Sequence, residues 1–466
     1  MEYVPNDHHH QGTAHVVLVP FPLQGHVTPF MKLGHKLASH GVRVTFFITE
    51  MLHKRMEMAA MKKLDGDEQG HFRIVSVPDG LPPEDDRKDD TRLTKSIFNV
   101  MPGYLEDLIK RTNDQENGGK ITCVIADAIF GWALEVAEKM GIKNAVFFTS
   151  APGALAMILR IPQLIESGII DANDGSMRKN EKIQLSPSLP AFSDADLLWY
   201  YPGSEQMKRS TFYYLCLVNQ NLKIPNWVLG NWFNELDPSA DDLLPNLLSI
   251  GPLLANEQQS TGNFWSEDLS CLSWLDRQDL GSVVYVAFGS SLKFSQQQFD
   301  ELALGLELVG QPFLWVVHPD LIDGVATGYP SGLKGRVANL GKIVEWAPQE
   351  KVLAHPSIAC YLTQCGWNST LESISMGVPL LCWPYYTDQF YNRTCICYGW
   401  KVGLELCPDH NGIVTSLELK KKIHELLSDN DIRANGLKLK ELAWNSIRNE
   451  GSSSTNFKQF VGQLKV

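Results

Sequence analysis

The sequence contains no apolar run that approaches the roughly 18–20 residues needed to cross a bilayer. Its first apolar run, His15–Phe21, is short and follows an acidic, histidine-containing leader, unlike the basic start of a secretory signal. In this polar leader His8–His10 is interpreted as part of a disordered segment rather than as a metal site. We therefore expect no membrane insertion, and we predict a cytoplasmic protein.

Positive charge and paired cysteines are also scarce. The 41 lysines and arginines are outnumbered by 53 aspartates and glutamates, so the formal net charge is −12 and the pI is near 5.6. This balance argues against nucleic acid or an anionic membrane as a partner. The nine cysteines lack the spacing of a zinc site, and Cys395 and Cys397 are too close together for a redox CxxC motif. Reduced thiols are the expected state.

A dinucleotide-binding fingerprint is missing as well. No GxGxxG pattern follows the first predicted strand, where Gly25 stands alone. This absence argues against a dehydrogenase, the alternative that a Rossmann-like sheet would otherwise suggest.

What the sequence does contain indicates two α/β domains. A length of 466 residues is too great for one ordinary core, and the hydrophobic fraction of 44% is typical of a globular protein. Prolines punctuate the chain between Glu235 and Leu253, which indicates a connection between domains. We predict a first domain at residues 1–245 and a second at residues 252–446, followed by a tail at residues 447–466.

The amino-terminal unit has the pattern of a strand, a loop, a helix and a second strand. His15–Pro22 is apolar and β-branched, as in a buried parallel strand. Leu23–Val27 is predicted to be a loop, and Thr28 and Pro29 are predicted to open the helix. His26 would then lie beyond the carboxyl end of the first strand, the edge of an open α/β sheet at which ligands bind.

A second buried strand, Thr122–Ala126, is closed by Asp127. Because carboxyl ends of parallel strands meet at one edge of a sheet, contact between Asp127 and His26 is expected. Taken singly, the histidine is more often a loop residue and the aspartate more often a helix cap.

The richest stretch runs from Trp346 to Gln389. A predicted strand, Ile358–Thr363, breaks at a glycine-containing turn, and a helix is predicted to open at Asn368–Thr370. Unpaired backbone N–H groups and the helix dipole make such a turn an anion site, to which cap side chains can add hydrogen bonds. With Trp346 for stacking and Glu372 for accepting from hydroxyl groups, the pattern predicts a nucleotide-sugar site.

Residues 346–389 resemble the carboxy-terminal donor signature of plant family-1 UDP-dependent glycosyltransferases. The resemblance extends to the Gln24-Gly25-His26 loop, the strand that ends at Asp127 and the turn at Gly289. It implies a GT-B fold, in which two Rossmann-like doubly wound parallel-sheet domains face a cleft and the tail packs back on the first domain. It also implies inverting, metal-independent transfer of a sugar from a UDP-sugar co-substrate to a hydroxyl of a small plant metabolite, such as a flavonoid, phenolic or terpenoid.

The resemblance also assigns roles to individual residues. His26 would be the base that deprotonates the acceptor, and Asp127 would orient it. Trp346 would stack on uracil, Glu372 would hold the ribose, and Gln389 is usually associated with glucose, although galactose, xylose and rhamnose remain alternatives. The donor-binding residues implied are Ser290, Trp346, Ala347, Gln349, Gln364, Gly366, Trp367, Asn368, Ser369, Glu372, Asp388 and Gln389.

One residue departs from the family pattern. Gln364 stands where the family usually has histidine, so a hydrogen-bond donor is kept but the option of a positive charge is lost. We expect UDP-sugar binding to be weaker by about 1 kcal/mol as a result. The alternative function is a non-catalytic or donor-altered nucleotide-sugar-binding protein.

Four further expectations concern the rest of the chain. Asp194 and Asp196 resemble the metal-binding DxD of other glycosyltransferases, but their place in a loop far from the donor signature favours helix capping or a surface position. Ser295 and Gln298 form a capping-box pattern. Four aromatic residues are candidates for a flat acceptor pocket, with core packing as the alternative for each: Phe148, Trp199, Tyr200 and Tyr201. The protein is expected to be a monomer.

Overall fold

The computed structural model describes residues 14–61, 71–82, 85, 87, 90–115, 119–178, 182–184, 190–240, 243–255, 262–319, 321 and 332–465. The prediction for His8–His10 lies outside these residues. No helix in these ranges is both long and apolar enough to span a membrane.

The first half of the chain forms a sheet of seven parallel strands in the order β3-β2-β1-β4-β5-β6-β7. Val17 and Val19 belong to one hydrophobic core, and Val16 and Leu18 to a second core on the opposite face. Both faces are buried, which explains why the strands read as unbroken apolar runs. The strands are β1 (His15–Val19), β2 (Arg43–Thr49), β3 (Phe72–Val77), β4 (Cys123–Asp127), β5 (Lys143–Phe148), β6 (Trp227–Gly230) and β7 (Leu247–Ser249).

Helices cover both faces of this first sheet. The connections between its parallel strands are crossovers, and most of them contain a helix. The helices are α1 (Gln24–Ser39), α2 (Glu50–Ala60), α3 (Asp90–Asn113), α4 (Gly131–Lys139), α5 (Pro152–Glu166) and α6 (Glu205–Asn221), with a 3₁₀ turn at Asp194–Asp196.

The start of α1 differs from the prediction. The helix begins at Gln24 with Leu23 as its N-cap residue, so the predicted loop is the first helical turn and Pro29 lies inside the helix. Proline has no N–H to donate to the carbonyl four residues earlier, which is that of Gly25. That carbonyl instead accepts a hydrogen bond of 2.7 Å from Nδ2 of Asn368 in the second half of the chain. The hydrogen bond that compensates for the internal proline comes from a residue distant in sequence. The local sequence pattern could not reveal it, so the predicted helix start was too late.

The second half of the chain forms a sheet of six parallel strands in the order β10-β9-β8-β11-β12-β13. The strands are β8 (Val283–Ala287), β9 (Phe313–Val316), β10 (Gly341–Val344), β11 (Ile358–Thr363), β12 (Leu380–Cys382) and β13 (Gly403–Glu405). The helices are α7 (Ser270–Leu275), α8 (Gln296–Val309), α9 (Leu333–Arg336), α10 (Gln349–Ala354), α11 (Trp367–Met376), α12 (Asp388–Thr394), α13 (Ser416–Ser428), α14 (Asn430–Ile447) and α15 (Ser452–Leu464), with a π turn at Cys395–Gly399.

The predicted capping box of α8 is only half present. The Ser295 hydroxyl accepts from the Gln298 N–H at 3.2 Å, as a cap residue does. The Gln298 side chain does not return to Ser295 but forms two hydrogen bonds with the Val414 backbone. Tertiary contact with the segment before α13 has replaced the local partner.

The last helix, α15, packs beside β7 of the first sheet. Nε1 of Trp227 donates to Oε1 of Gln463 at 2.6 Å, and the ring of Phe460 meets that of Trp227 edge to face. This helix begins at Ser452, with Gly451 as the N-cap residue.

Candidate active site

The carboxyl ends of the two sheets border one cavity of about 900 Å³. Residues that follow β1, β4 and β5 line one side, and residues that follow β8, β10 and β11 line the other. Ligands of open α/β sheets bind at this edge. The cavity is therefore the candidate site for both substrates.

His26 and Asp127 are brought together on the first-sheet side. Nδ1 of His26, in the first turn of α1, lies 2.6 Å from Oδ2 of Asp127 at the end of β4. Oδ1 of Asp127 accepts from the Ile129 N–H at 3.0 Å, and Oγ1 of Thr149 lies 3.1 Å from the same imidazole nitrogen. The carboxylate is buried, whereas 27% of the His26 side chain is exposed. With Nδ1–H donating to Asp127, Nε2 is the nitrogen left to accept a proton.

The electrostatic surroundings favour a charged imidazole. Burial opposes protonation of His26, but the charge and hydrogen bond of Asp127, with a smaller contribution from Asp388, raise its pKa above the ordinary value. Asp388 is the first residue of α12 and accepts from the Ser150 hydroxyl at 2.6 Å. Burial raises the pKa of Asp388, against the opposing effect of the hydrogen bonds from Ser150 and Asn392. Residues of both halves therefore converge near His26.

A stack of aromatic rings supports Trp346. Its ring packs on that of Trp265, with the centroids 4.8 Å apart and the planes 27° from parallel. The guanidinium of Arg55, from α2, lies 4.6 Å from the centroid of Trp265. Trp346 lines the cavity and so can offer its free face to a base. No sequence motif singled out Trp265 or Arg55, because their contact joins segments that are far apart in the chain.

Gln349 and Glu372 share a hydrogen-bond network at the same end of the cavity. Nε2 of Gln349 donates to Oε2 of Glu372 at 2.8 Å and to the Ser369 hydroxyl at 3.0 Å. Oε1 of Gln349 accepts from the Tyr361 hydroxyl at 2.9 Å. The amide is thereby held in one orientation beside the carboxylate.

Lys32 of α1 reaches the same carboxylate from the first half of the chain. Its Nζ is 2.8 Å from Oε1 of Glu372, and it also forms an ion pair with Glu350. Although burial opposes its charge, the two carboxylates raise the pKa of Lys32. Burial and Glu350 raise the pKa of Glu372, and Lys32 opposes that rise. The sequence offered one signal that was missed, a lysine next to the apolar helix face of Phe30 and Leu33.

The turn before α11 has the geometry of an anion site but not the predicted cap. Gly366 is the N-cap residue and Trp367 begins the helix, so Asn368–Thr370 lie within its first turn. Asn368 is committed to the Gly25 carbonyl, and Ser369 to Gln349. The first N–H groups of α11 lack partners within the helix, and they remain the anion-binding feature.

Gln364 has a fixed orientation. Its Oε1 accepts from the Thr363 hydroxyl at 3.1 Å, which leaves Nε2 to donate. This nitrogen lies so close to Gly289 that a Cβ there would be 2.3 Å away, and Gly289 has a φ of +65°, which glycine tolerates. The amide nitrogen and Ser290 thus lie at the same turn after β8, and both residues line the cavity.

Three other predicted donor residues line the cavity in specific ways. The indole N–H of Trp367 donates to the Asn231 carbonyl at 3.0 Å and so connects the two halves. Oε1 of Gln389 accepts from the backbone N–H groups of Tyr385 and Tyr386, so its side chain is held in one orientation. Ala347 is buried in the cavity wall.

The first-sheet end of the cavity is apolar, but only one of the four aromatic candidates lines it. Phe148 is in the wall, whereas Trp199 is buried in the core and donates to the Gly175 carbonyl. Tyr201 stacks on Tyr386 outside the wall. The other apolar residues of this end are Ile129, Ala154, Ile158, Leu198, Leu215 and Val218.

The capping interpretation is confirmed for Asp196. Ser193 and Asp196 form a capping box around the 3₁₀ turn, and Asp196 also binds Arg393 and Thr394 of α12. Among the described residues there is no group of three or more histidine, cysteine, aspartate or glutamate side chains that could hold a metal ion.

Known proteins share this sequence and fold. The sequence model of the UDP-glucuronosyl and UDP-glucosyl transferase family matches residues 221–445. UDP-glycosyltransferase 83A1 of Arabidopsis thaliana is 38% identical over 99% of this chain and 98% of its own length. The (R)-mandelonitrile beta-glucosyltransferase of Prunus dulcis is 31% identical, with 97% of each chain covered.

Solved structures agree with these sequence relatives. Os79 from O. sativa in complex with UDP has a TM-score of 0.79 at 26% identity, with 96% of this chain and 100% of that chain covered. Phytolacca americana UGT2 complexed with UDP-2fluoro-glucose and pterostilbene has the same TM-score and identity, with coverage of 97% and 99%. The GT-B prediction is therefore confirmed, and the chain belongs to the plant family-1 UDP-glycosyltransferases, enzymes that transfer a hexosyl group from a UDP-sugar co-substrate.

Proposed function

We propose that this enzyme transfers glucose from UDP-glucose, with inversion at the anomeric carbon, to a hydroxyl of a small apolar plant metabolite such as a flavonoid, phenolic or terpenoid. The observation that carries the proposal is the His26–Asp127 pair, 2.6 Å apart in a cavity with one apolar end and one end lined by the donor signature. A relative named as a beta-glucosyltransferase and a neighbour solved with UDP-2fluoro-glucose and pterostilbene support glucose and an apolar acceptor.

In the proposed reaction Nε2 of His26 accepts the proton of the acceptor hydroxyl while the hydroxyl oxygen forms a bond to the anomeric carbon. The bond between that carbon and the β-phosphate oxygen breaks in the same step, and UDP leaves with the bonding electrons. Asp127 stabilises the imidazolium that forms. A single displacement places the attacking oxygen opposite the leaving UDP, so the configuration inverts.

The second half of the chain would hold the donor. Trp346 stacks on uracil, and Gln349 and Glu372 bind the base and ribose. The amino terminus of α11, from Gly366, stabilises the diphosphate and the charge that develops on departing UDP. The remaining proposed donor contacts are Ser290, Ala347, Gln364, Trp367, Asn368, Ser369, Asp388 and Gln389.

Two alternatives are tied to single residues. Gln389 supports glucose, but galactose, xylose or rhamnose would need only small changes in the contacts to sugar hydroxyls. Gln364 supports a donor-altered or non-catalytic nucleotide-sugar binder, because it cannot carry the charge of the family's usual histidine. The presence of both His26 and Asp127 favours catalysis.

The proposal is tested by incubating the protein with UDP-glucose, UDP-galactose, UDP-xylose and UDP-rhamnose against a mixed panel of flavonoids, phenolics and terpenoid alcohols. Products are detected by mass, and the anomeric configuration of the main product is read from its NMR coupling constant. We expect products that carry one added hexose, with the highest yield from UDP-glucose. The main product should be a β-glycoside, because the donor is α-linked and the configuration inverts. An α-glycoside would contradict the displacement, and UDP binding without any product would favour the binder.

The division of the chain is also proposed rather than established. The last strand of the first sheet ends at Ser249 and the first strand of the second begins at Val283, so the crossing lies in the residues between them. A monomer and a cytoplasmic location stay predictions; light scattering and a fluorescent fusion would test them.

A further inference from the structure

Lys32 is a buried cation of the first domain placed inside the donor site. Only 6% of its side chain is exposed, yet it lies in α1 and not in the donor signature. Nζ donates to Oε1 of Glu372 at 2.8 Å and pairs with Glu350, and both carboxylates belong to the second half of the chain. Lys32 and Glu372 are buried and Glu350 is partly buried. Burying charged groups is costly unless each is paired and hydrogen-bonded, so such a cluster requires a reason.

The two carboxylates extend the network in different directions. Oε2 of Glu350 accepts from the Ala255 N–H at 2.9 Å, in the chain that connects the domains. Oε2 of Glu372 accepts from Nε2 of Gln349 at 2.8 Å, at the end of the cavity that Trp346 lines. Lys32 thus links the first domain, the connecting chain and the donor signature through two side chains.

The coordination of Glu372 leaves room for a ligand. An ionised carboxylate has about four lone-pair sites, and one donor is present on each of its oxygens. One site per oxygen is left for the two hydroxyl groups of a ribose. The lysine therefore need not be displaced when a nucleotide binds.

From this geometry, and resting on the proposed function, we propose that Lys32 is a positioning residue for the UDP-sugar. It holds Glu372 ionised and oriented for the ribose hydroxyls, and so joins donor recognition by the second domain to contact with the first.

The charges around Glu372 make this proposal testable by pH. Burial and neighbouring Glu350 both favour the neutral acid, and Lys32 is the cation in direct contact that opposes them. The phenols of Tyr361 and Tyr285 face the same network, and burial raises the pKa of both. Glu267 and Lys351, which carry opposite charges, also line this end of the cavity. Without Lys32, the buried carboxylate of Glu372 loses its cation and keeps Glu350 as a neighbour, so Glu372 should take up a proton at a higher pH than in the wild-type protein.

The test compares Lys32→Met with Lys36→Met, a matched control one turn further along α1. Lys36 is partly buried, and its Nζ contacts the Ile250 carbonyl and the ring of Phe457, away from the donor site. UDP affinity is measured by calorimetry from pH 6 to 8.5, with the donor KM and kcat measured in parallel. The ratio of variant to wild-type Kd is used at each pH, so that the titration of UDP itself cancels.

We expect Lys32→Met to weaken UDP binding and raise the donor KM by about tenfold or more, the usual effect of a lost charge-assisted hydrogen bond, with a smaller change in kcat. The Kd ratio should grow as the pH falls, Lys32→Arg should recover most of the affinity, and Lys36→Met should stay near wild type. An unchanged Kd, or a loss that is the same at every pH, would overturn the inference.

Two further measurements keep the result decisive. If Lys32→Met does not fold, Lys32→Met combined with Glu350→Gln leaves Glu372 as the one carboxylate of the cluster. Burial still favours its neutral acid but the charge of Glu350 is gone, so the loss of UDP affinity should again grow as the pH falls, less steeply than in Lys32→Met; a loss that is the same at every pH would overturn the inference. If the wild-type protein binds UDP but transfers no sugar, the proposed function fails while the Kd ratio still decides the role of Lys32. Failure of the wild-type protein to bind UDP would overturn both.

Discussion

At the scale of single residues, Asp127 selects which nitrogen of His26 would accept the proton in the proposed reaction. The short contact to Nδ1 holds the imidazole with Nε2 towards the cavity, and the buried carboxylate favours the imidazolium. A general base works in its neutral form, so activity is lost as the pH falls through the pKa of His26. Because that pKa is raised, the loss should begin at a higher pH than for an ordinary histidine.

Asp127→Asn removes the charge but keeps the size of the side chain. Burial of His26 lowers its pKa, and in this variant the charge of Asp127 no longer opposes that effect. The pKa of His26 should therefore fall, and the acid limb of the kcat/KM profile should move to lower pH. We expect kcat to drop by about tenfold or more on an aliphatic alcohol, and by less on an acidic phenol that needs little help. The measurement is a pH profile with both acceptors; an acid limb that does not move would argue against this coupling.

Gln364 is the second informative residue, because its amide nitrogen is directed by Thr363 towards the turn at Gly289. Gln364→His should lower the donor KM by roughly fivefold, since a charge-assisted hydrogen bond to phosphate exceeds a neutral one by about 1 kcal/mol. The isosteric Gln364→Glu variant, which places a negative charge beside the phosphates of the donor, should raise the donor KM. Donor KM values for the three proteins check this, and equal values would mean that residue 364 does not contact the donor.

At the scale of elements, the aromatic stack proposed to hold the donor base is built from three segments. Trp346 comes from the segment after β10, Trp265 precedes α7, and Arg55 belongs to α2 of the first domain. The ring of Trp346, which is proposed to stack on the base, therefore packs on a residue outside the donor signature.

Trp265→Ala should tilt or loosen Trp346 and raise the donor KM about two- to tenfold, which corresponds to the roughly 0.5–1.5 kcal/mol of an aromatic pair. Trp265→Phe keeps a ring and should lie close to wild type. UDP calorimetry on both variants is the check, and equal affinities for Ala and wild type would show that the support is unnecessary.

Helix α1 shows how far local patterns carry a prediction. The apolar runs predicted β1 and β4 closely, because strands buried on both faces have an unmistakable composition. They could not reveal that α1 begins at Gln24, because the carbonyl freed by Pro29 is satisfied by Asn368, more than 300 residues away. The same limit hid Trp265 and Lys32, whose partners are set by the packing of the two halves.

At the scale of the whole molecule, the two halves divide the work of the proposed reaction. The contact of His26 with Asp127 was expected because strand ends of one sheet share an edge. The contacts between halves were not predictable from local sequence, and they include Lys32 with Glu372, Trp367 with Asn231, and Ser150 with Asp388. They surround the cavity and bring the proposed base to the donor.

The most direct measurement of this division is the comparison of His26→Ala with the wild-type protein in two assays, sugar transfer from UDP-glucose and calorimetric binding of UDP. The account predicts that kcat falls by roughly 10²–10⁴, the usual contribution of a general base, while UDP affinity stays within about twofold because the other half holds the nucleotide. Near-normal turnover by this variant on an alcohol acceptor would contradict the account.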